Sequence, residues 1–345
     1  MKYIILLSVC LISFCDLLNA QAPQFAVVKP NGTTSIYPSW QSAYDAAVND
    51  DYIYLPGGGI NGSMTISKRL HIFGAGHHPD STSATSKTIV VGEFFVNFGG
   101  SGGSVEGISL VNYFRIGTDN RKITNFLIKN CIGTGVLLGT SILDSLPEFI
   151  TFSQNIFYSI VSQVSGGCKN LLIEKNIISG QVINFQYCSF KNNVLLLNGN
   201  SASGVSNSIF ENNIFLYSNP VSYANNNCFN SFYNNLKIEI PSFASPSGSC
   251  PVLSETGNIS VPLFSDIFIS YDGNGFDYSD NYHLKPTCPG VGAGTDGTDV
   301  GIYGTIQPTS EGWVPSNPHI YFKDIDSNTG PDGKLHIQVG VRTNN

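Results

Sequence analysis

The sequence predicts an all-β parallel solenoid, in which short strands wind in successive coils around one elongated core. Three observations predict it. A motif centred on asparagine recurs about every 20 residues between residues 120 and 240. Charged residues make up only 12% of the chain and hydrophobic residues 41%, a composition that can bury a large core. No helical periodicity accompanies the repeat, and a repeat of this length without helices is typical of one solenoid coil.

The chain begins with a predicted secretory signal peptide, residues 1–20. Lys2 precedes an apolar run from Tyr3 to Phe14, and small residues lead to a cleavage site after Ala20. The run is too short for a membrane span, which needs about 20 residues. Lipid attachment at Cys15 is an alternative, but Phe14 is a poor residue before a lipidated cysteine. We therefore expect a protein without a transmembrane segment that is secreted to the cell exterior or the cell surface.

Residues 21–305 form the predicted solenoid domain, which begins with a short amphipathic helix. Trp40, Ala43, Tyr44 and Ala47 have the spacing of one helix face, and Ser39 is a suitable N-cap. An exposed solenoid end needs a cover, so the helix is expected to cap the first coil. The first strands are predicted at residues 51–55, 64–66 and 70–73.

The repeats themselves share four columns of residues. The asparagines are Asn130, Asn155, Asn176, Asn193, Asn213 and Asn235, with spacings of 25, 21, 17, 20 and 22 residues. Three positions earlier stand large apolar residues, Leu127, Phe152, Ile173, Phe190, Phe210 and Phe232, which we expect inside the solenoid. The position before each asparagine is polar, and the position after it is apolar. We expect each asparagine to adopt a left-handed turn and to form a hydrogen-bonded ladder from coil to coil.

The order of these elements resembles secreted bacterial right-handed parallel β-helix repeat proteins of the pectin lyase-like fold group. The resemblance covers residues 35–305. It rests on the helix, on DYIYLPGGG and MTISKRLHIFGAGHHPDST, on the asparagine repeats and on the closing segment YHLKPTCPGVGAGTDGTDVGIYG, residues 282–304. It implies right-handed winding. It does not imply one activity, because a fold hosts many functions.

Residues 306–345 lack the asparagine repeat and are predicted as a linker and tail. Pro308, Pro315 and Pro318 mark the linker. Two apolar segments, 319–322 and 335–341, predict a hairpin around residues 324–333. Too few residues remain for a separate core, so the tail is predicted as a short β appendage.

Six of the eight cysteines remain after the predicted signal peptide. They could pair in 15 ways, and the sequence does not choose among them. Cys131 occupies an apolar position of the repeat, which favours a buried thiol. Cys250 and Cys288 each precede a proline in loop-like sequence, and we predict a disulfide between them.

The residues expected of pectin lyase-like enzymes are missing from the repeats. Hydrolysis needs two carboxylates that flank the scissile bond, and lysis needs a base and a cation beside the uronate. Between residues 125 and 240 there is no Asp-Asp pair, Gly-His-Gly or arginine, and the acidic residues are Asp144, Glu148, Glu174, Glu211 and Glu239. Both enzyme types are therefore disfavoured.

Calcium is the one cofactor that the sequence suggests. Asp324, Asp326 and Asn328 have the one-three-five spacing of a Ca²⁺ loop, but Leu335 stands where such a loop has a bidentate glutamate. Asp296 and Asp299 fit tight turns better than a metal site. His71, His77, His78 and Asp80 offer metal or acid–base chemistry, although a structural role in the end of the solenoid is favoured.

Scattered aromatic residues favour a glycan as partner, because exposed tyrosines on a flat sheet stack against sugars. The residues in question are Tyr113, Phe114, Tyr158, Tyr187, Tyr217, Tyr223 and Tyr233. The net charge of −7 and the lack of basic clusters disfavour nucleic acid. We expect a monomer that binds an extended polysaccharide without cleaving it. A polysaccharide lyase or glycoside hydrolase with an atypical site, and a structural or adhesive surface protein, remain alternatives.

Overall fold

The computed structural model describes residues 24–140, 142–164, 166–196, 202–216, 228–238, 243 and 251–342. The predicted signal peptide, the alternative lipidation site Cys15, and the residues Cys250, Tyr217 and Tyr223 lie outside these ranges. No helix in the described ranges is long and apolar enough to cross a membrane.

The described chain is built from thirty strands and one α-helix. The N-terminal elements are β1 (Phe25–Val28), β2 (Thr34–Tyr37), α1 (Trp40–Ala46), β3 (Tyr52–Tyr54), β4 (Gly58–Ile60), β5 (Met64–Ile66), β6 (His71–Phe73), β7 (Thr88–Val90), β8 (Phe94–Val96), β9 (Ser104–Glu106) and β10 (Ser109–Ile116). The central strands are β11 (Leu127–Lys129), β12 (Ile132–Leu138), β13 (Thr151–Ser153), β14 (Ile156–Ser162), β15 (Cys168–Lys169), β16 (Leu172–Glu174), β17 (Ile177–Gln186), β18 (Ser189–Lys191), β19 (Val194–Leu195), β20 (Ala202–Ser206), β21 (Ile209–Glu211), β22 (Ile214–Phe215), β23 (Ser231–Tyr233) and β24 (Leu236–Ile238). The last strands are β25 (Ser254–Thr256), β26 (Ile259–Val261), β27 (Phe268–Ser270), β28 (Asn281–Leu284), β29 (His319–Ile325) and β30 (Ile337–Arg342).

These strands form a parallel β-solenoid of about eight turns, which confirms the predicted fold class. One sheet, here called sheet A, runs in the order β2-β1-β3-β6-β9-β11-β13-β16-β18-β21-β23-β25. The second, sheet B, runs β26-β24-β22-β19-β17-β14-β12-β10-β7-β4, with β5, β8, β15 and β20 paired beside this path. Each coil contributes a short strand to sheet A and then one or more segments to sheet B. The right-handed winding that the resemblance implies remains a prediction.

The N-terminal elements agree with the predicted ones and add three strands, β1, β2 and β4. The helix α1 begins after Ser39, whose hydroxyl accepts a hydrogen bond from the backbone N–H of Ser42 at 3.2 Å, as expected of an N-cap. Strands β1 and β2 are antiparallel additions to the edge of sheet A beside β3. The capping role of the helix stays a prediction.

The predicted inward column is confirmed from the second repeat onward. Phe152, Ile173, Phe190, Phe210 and Phe232 are aligned by the strand register and fully buried. Phe210 stacks between Phe190 and Phe232, with ring centroids 4.5 and 4.9 Å away.

In the first repeat the prediction was wrong by one residue. Phe152 is paired with Ile128, which is fully buried, and not with Leu127. Cys131, not Asn130, is therefore the equivalent of Asn155. The error arose because Asn130 directly precedes Cys131 and matches the asparagine of the motif.

The asparagine ladder is confirmed and extends one coil further than predicted. From Asn176 onward, the Oδ1 atom of each ladder asparagine accepts hydrogen bonds from the backbone N–H and the side-chain amide of the asparagine in the preceding coil, at 2.9–3.1 Å. The Oδ1 of Asn155 accepts from the backbone N–H of Cys131 at 2.9 Å. The members of the ladder are Asn155, Asn176, Asn193, Asn213, Asn235 and Asn258. Asn258 was missed because Glu255, not an apolar residue, is paired with Phe232 in that coil.

The expected left-handed conformation is found for Asn130 but was wrong for Asn155, Asn176, Asn193, Asn213 and Asn235. The residue with positive φ is the one before each ladder position: Asn130, Gln154, Lys175, Asn192, Asn212 and Asn234, with φ between 49° and 58°, and Gly257, with φ 69°. The turn and the ladder are thus made by neighbouring residues, because the ladder side chain must point inward while its predecessor turns the backbone.

The interior ends in an ion pair at the C-terminal coils. Lys237 is almost fully buried, and its Nζ lies 3.4 Å from Glu255 Oε1 and 4.1 Å from the centre of the Phe243 ring. Phe243 in turn stacks on Phe232 at 4.1 Å.

After the last coil, the chain returns along the solenoid towards its N-terminal end. The residues with positive φ that precede the ladder positions form a left-handed column, and their side chains hold the returning segment. They donate hydrogen bonds to its backbone carbonyls: Asn234 to Ala293, Asn192 to Gly301, Lys175 to Gln307 and Asn130 to Val314. Ser316 completes the contact by donating from its backbone N–H and its hydroxyl to the buried Glu106 carboxylate, both at 2.6 Å. The predicted C-terminal hairpin is confirmed as the antiparallel pair β29 and β30.

Most cysteines in the described ranges are buried free thiols. Cys131 is fully buried, as predicted, and burial raises the pKa of its thiol to about 12. The predicted disulfide of Cys288 was wrong, because Cys288 is a buried free thiol packed in the closing segment. Cys228 forms a disulfide instead.

Candidate functional site

A second column of left-handed residues marks the turn that leads from sheet B into sheet A. It consists of Asn125, Phe149, Asn170, Tyr187, Asn207 and Phe229, with φ between 52° and 60°. We call these six residues the edge column. Asparagine and an aromatic residue alternate from coil to coil along it.

Backbone pairing fixes the register of the edge column. Thr124 is bridged to Glu148, and Glu148 to Lys169. Lys169 is then paired with Gln186, and Gln186 with Ser206. Each of these residues directly precedes a member of the column. The backbone N–H of Asn207 continues the pattern by donating to the carbonyl of Cys228, next to Phe229, at 3.0 Å.

The aromatic members occupy a conformation that disfavours them. Left-handed backbone costs an L-residue with a Cβ roughly 1–2 kcal/mol, and asparagine tolerates it best. The other left-handed column, beside the ladder, contains only polar residues in its six aligned coils. Phe149, Tyr187 and Phe229 are therefore exceptions, and strained residues of this kind concentrate at functional sites.

Burial does not explain the three rings. Phe149 is 51% exposed, Tyr187 57% and Phe229 49%, so half of each side chain faces solvent. Asn125, Asn170 and Asn207 are exposed between them. Within the described ranges, the side-chain amides of these asparagines have no hydrogen-bonding partner, and so they are free to bind a ligand.

A shallow groove of about 400 Å³ lies along the column. Most of its lining is apolar, with Leu171, Leu172, Cys188 and Ile209 beside Ser189. The rings of Phe149 and Tyr187 and the amides of Asn170 and Asn207 line it as well. The groove thus alternates flat apolar surface with amide groups along the solenoid axis.

The backbone below the groove is held by a short second ladder. Ser208 Oγ accepts a hydrogen bond from the N–H of Cys188 at 3.0 Å, and Asn230 Oδ1 accepts one from the N–H of Ser208 at 2.9 Å. Asn230 also donates to the carbonyl of Val205 at 2.9 Å. These bonds fix the residues that directly follow Tyr187, Asn207 and Phe229, so the column is set on rigid backbone.

Charge along the column is low. Its six members are uncharged, and Glu148 at its border is paired with Lys122 at 3.0 Å. Lys169 is exposed beside Asn170. The surface therefore suits a ligand that is recognised by stacking and neutral hydrogen bonds.

Tyr187 is the one member of this column among the aromatic residues that the sequence pattern singled out. The other aromatic residues that it singled out lie elsewhere: Phe114 is fully buried inside the solenoid, and Tyr158 is 55% exposed on sheet B. The signal that was missed is positional, since every member stands six residues before a ladder position, counted with Cys131 in place of Asn130. Aligning the repeats on that position places the alternation in one column.

The predicted histidine cluster separates into two parts. His71 Nδ1 lies 2.9 Å from Ser104 Oγ on sheet A. His77 is completely buried, with Nδ1 2.9 Å from Tyr278 Oη, and burial lowers its pKa to about 3. His78 packs edge-on against Tyr278, and burial lowers its pKa as well. His77 and His78 thus join the N-terminal coils to the returning chain.

The proposed calcium ligands lie in and beside the hairpin. Asp324 is an exposed residue of β29, Asp326 follows that strand, and Asn328 lies in the loop. In the described ranges, no group of three or more His, Cys, Asp or Glu side chains is arranged to hold a metal ion. Asp296 instead accepts hydrogen bonds from the backbone N–H and hydroxyl of Thr298, as expected of a tight turn.

One further pair of titratable groups lies between two cavities. His283 Nε2 is 2.6 Å from Glu311 Oε1, and the His283 ring stacks on Tyr303 at 3.7 Å. Both residues line a cavity of about 530 Å³ on the side of Lys129 and one of about 540 Å³ on the side of His78.

No protein-family model, curated protein or solved structure matches this chain.

Proposed function

We propose that the protein is a secreted or surface-displayed β-solenoid that binds an extended polysaccharide along the edge column without cleaving it. The observation that carries the proposal is the set of three exposed, strained aromatic rings at alternate coils of one turn.

Stacking on sugars is the interaction that these rings suit best. Aromatic side chains bury a large flat area at a small entropy cost, and the C–H faces of sugar rings are flat apolar surfaces. The asparagines between them supply donors and acceptors for hydroxyl groups. A rigid backbone holds both, so little ordering is needed on binding.

The surroundings of the column support binding without hydrolysis. Hydrolysis of a glycosidic bond by the usual mechanism needs two carboxyl groups on opposite sides of the bond. In the described ranges no carboxylate lines the groove, and Glu148, which directly precedes Phe149, forms an ion pair with Lys122 at 3.0 Å.

A glycan array with the mature chain, run with and without Ca²⁺ and followed by product analysis, tests the proposal. We expect binding without new reducing or unsaturated ends. A variant with Phe149, Tyr187 and Phe229 all changed to Asn should lose that binding, whereas Tyr158→Ala, which removes an exposed ring from sheet B, should keep it. Absence of all binding would favour the structural or adhesive alternative.

The pair His283–Glu311 favours a second candidate, an enzyme that acts on a polysaccharide. A histidine oriented by a carboxylate is a common acid–base arrangement, and this one faces two cavities. New unsaturated or reducing ends that disappear in His283→Ala, but persist in the edge-column variant, would establish this candidate and displace the first.

A further inference from the structure

Provided that the proposed function holds, the spacing of the aromatic rings along the edge column should match the repeat length of the ligand. Neighbouring coils of a parallel solenoid are about 4.8 Å apart, so rings at alternate coils are separated by about 9.5 Å. Five coils, from Phe149 to Phe229, present three rings and two asparagine amides in strict alternation.

An extended chain of β-1,4-linked hexopyranoses has a matching geometry. Each sugar advances the chain by about the distance between neighbouring coils, and successive sugars are turned over relative to one another. Consequently one sugar in two presents the same face to a flat surface. The sugars in between present their opposite face, and the hydroxyl groups at the rim of that face are groups that an amide recognises.

We infer that the edge column binds a neutral β-1,4-linked glycan with one sugar per coil. Sugars over Phe149, Tyr187 and Phe229 stack on the rings, and sugars over Asn170 and Asn207 receive hydrogen bonds from the amides. The low charge along the column favours a neutral chain over a uronate chain.

Calorimetric titration of the mature chain with cello- and manno-oligosaccharides of two to six sugars tests the inference. A trisaccharide reaches two rings and a pentasaccharide three, so affinity should rise on the order of fivefold at each of these lengths. Extension to an even number of sugars should add less. Maltohexaose, a neutral α-linked chain with a helical shape, and oligogalacturonate, an acidic chain, serve as controls and should bind weakly.

A ring-shift variant, Tyr187→Asn combined with Asn207→Tyr, keeps the composition of the column and moves one ring by one coil. Both positions already accept a left-handed residue, so the fold should be retained, as a circular dichroism melt will check. The variant should bind the pentasaccharide at least tenfold more weakly than the native chain.

The outcomes separate the inference from the proposed function. Equal binding by native and ring-shift chains, or a preference for the α-linked or the acidic control, would overturn the one-sugar-per-coil match while glycan binding stands. Failure of every glycan to bind would overturn both.

Discussion

The asparagine ladder should provide a large part of the stability of the solenoid, and Asn193→Ala tests this directly. Asn193 is fully buried in the middle of the ladder. Its Oδ1 accepts from the backbone N–H of Asn176 at 2.9 Å and from the Asn176 side-chain amide at 3.1 Å. Removing the side chain leaves both N–H groups without these partners in the interior. At about 1–3 kcal/mol for each unsatisfied buried group, the expected loss is about 4 kcal/mol.

Asn258→Ala is the matched control, because it removes the same bonds at the end of the ladder. Asn258 is half-buried, so water can replace its Oδ1 as the acceptor for Asn235. We expect a loss of about 1 kcal/mol. Urea denaturation followed by circular dichroism measures both, with equal m values as the condition for comparing them, since repeat proteins can unfold in parts. If Asn193→Ala costs no more than Asn258→Ala, the buried hydrogen bonds of the ladder do not stabilise the fold.

Three further predictions concern the interior. Phe210→Ala should destabilise the protein by about 3–5 kcal/mol, because Phe210 stacks on a ring on each side; a urea midpoint close to that of the native chain would contradict this. The thiol of Cys131 should resist alkylation at pH 8 until the chain unfolds, since burial raises its pKa to about 12, and labelling followed by mass spectrometry checks it. His77 is neutral in the folded state down to about pH 3, whereas the unfolded chain binds a proton below about pH 6.5. Stability should therefore fall by roughly 1.4 kcal/mol per pH unit from about pH 6.5 towards pH 3, and His77→Gln should flatten that part of the profile.

The sequence predicted the coils well because burial imposes a chemical pattern on them. An inward phenylalanine and a ladder asparagine three residues later are both fixed by the interior, and both columns were found. The phase of the motif was harder to determine. Asn192 and Asn193 are adjacent, as are Asn212 and Asn213. The first member of each pair adopts the left-handed conformation, and the second forms the ladder.

The edge column was harder to predict because no single chemical property unites its members. Phenylalanine, tyrosine and asparagine share a backbone conformation there and little else. Sequence reasoning expects asparagine or glycine at a left-handed turn, so Phe149 and Phe229 do not stand out as turn residues. Only the backbone shows that they replace asparagine.

Each coil thus has two left-handed turns, and the two turns carry different kinds of side chain. This difference is what favours a functional role for one of them. Beside the ladder, the left-handed positions carry polar residues that also hold the returning chain. On the edge column, three aromatic residues add a strain of roughly 3–6 kcal/mol in total, at 1–2 kcal/mol each. That amount is comparable with the net stability of a typical domain, about 5–15 kcal/mol. The buried ladder and the phenylalanine stack are what allow the fold to tolerate it. Since half of each strained ring faces water, burial compensates little for the strain, and this is the reason for proposing that a ligand covers the rings.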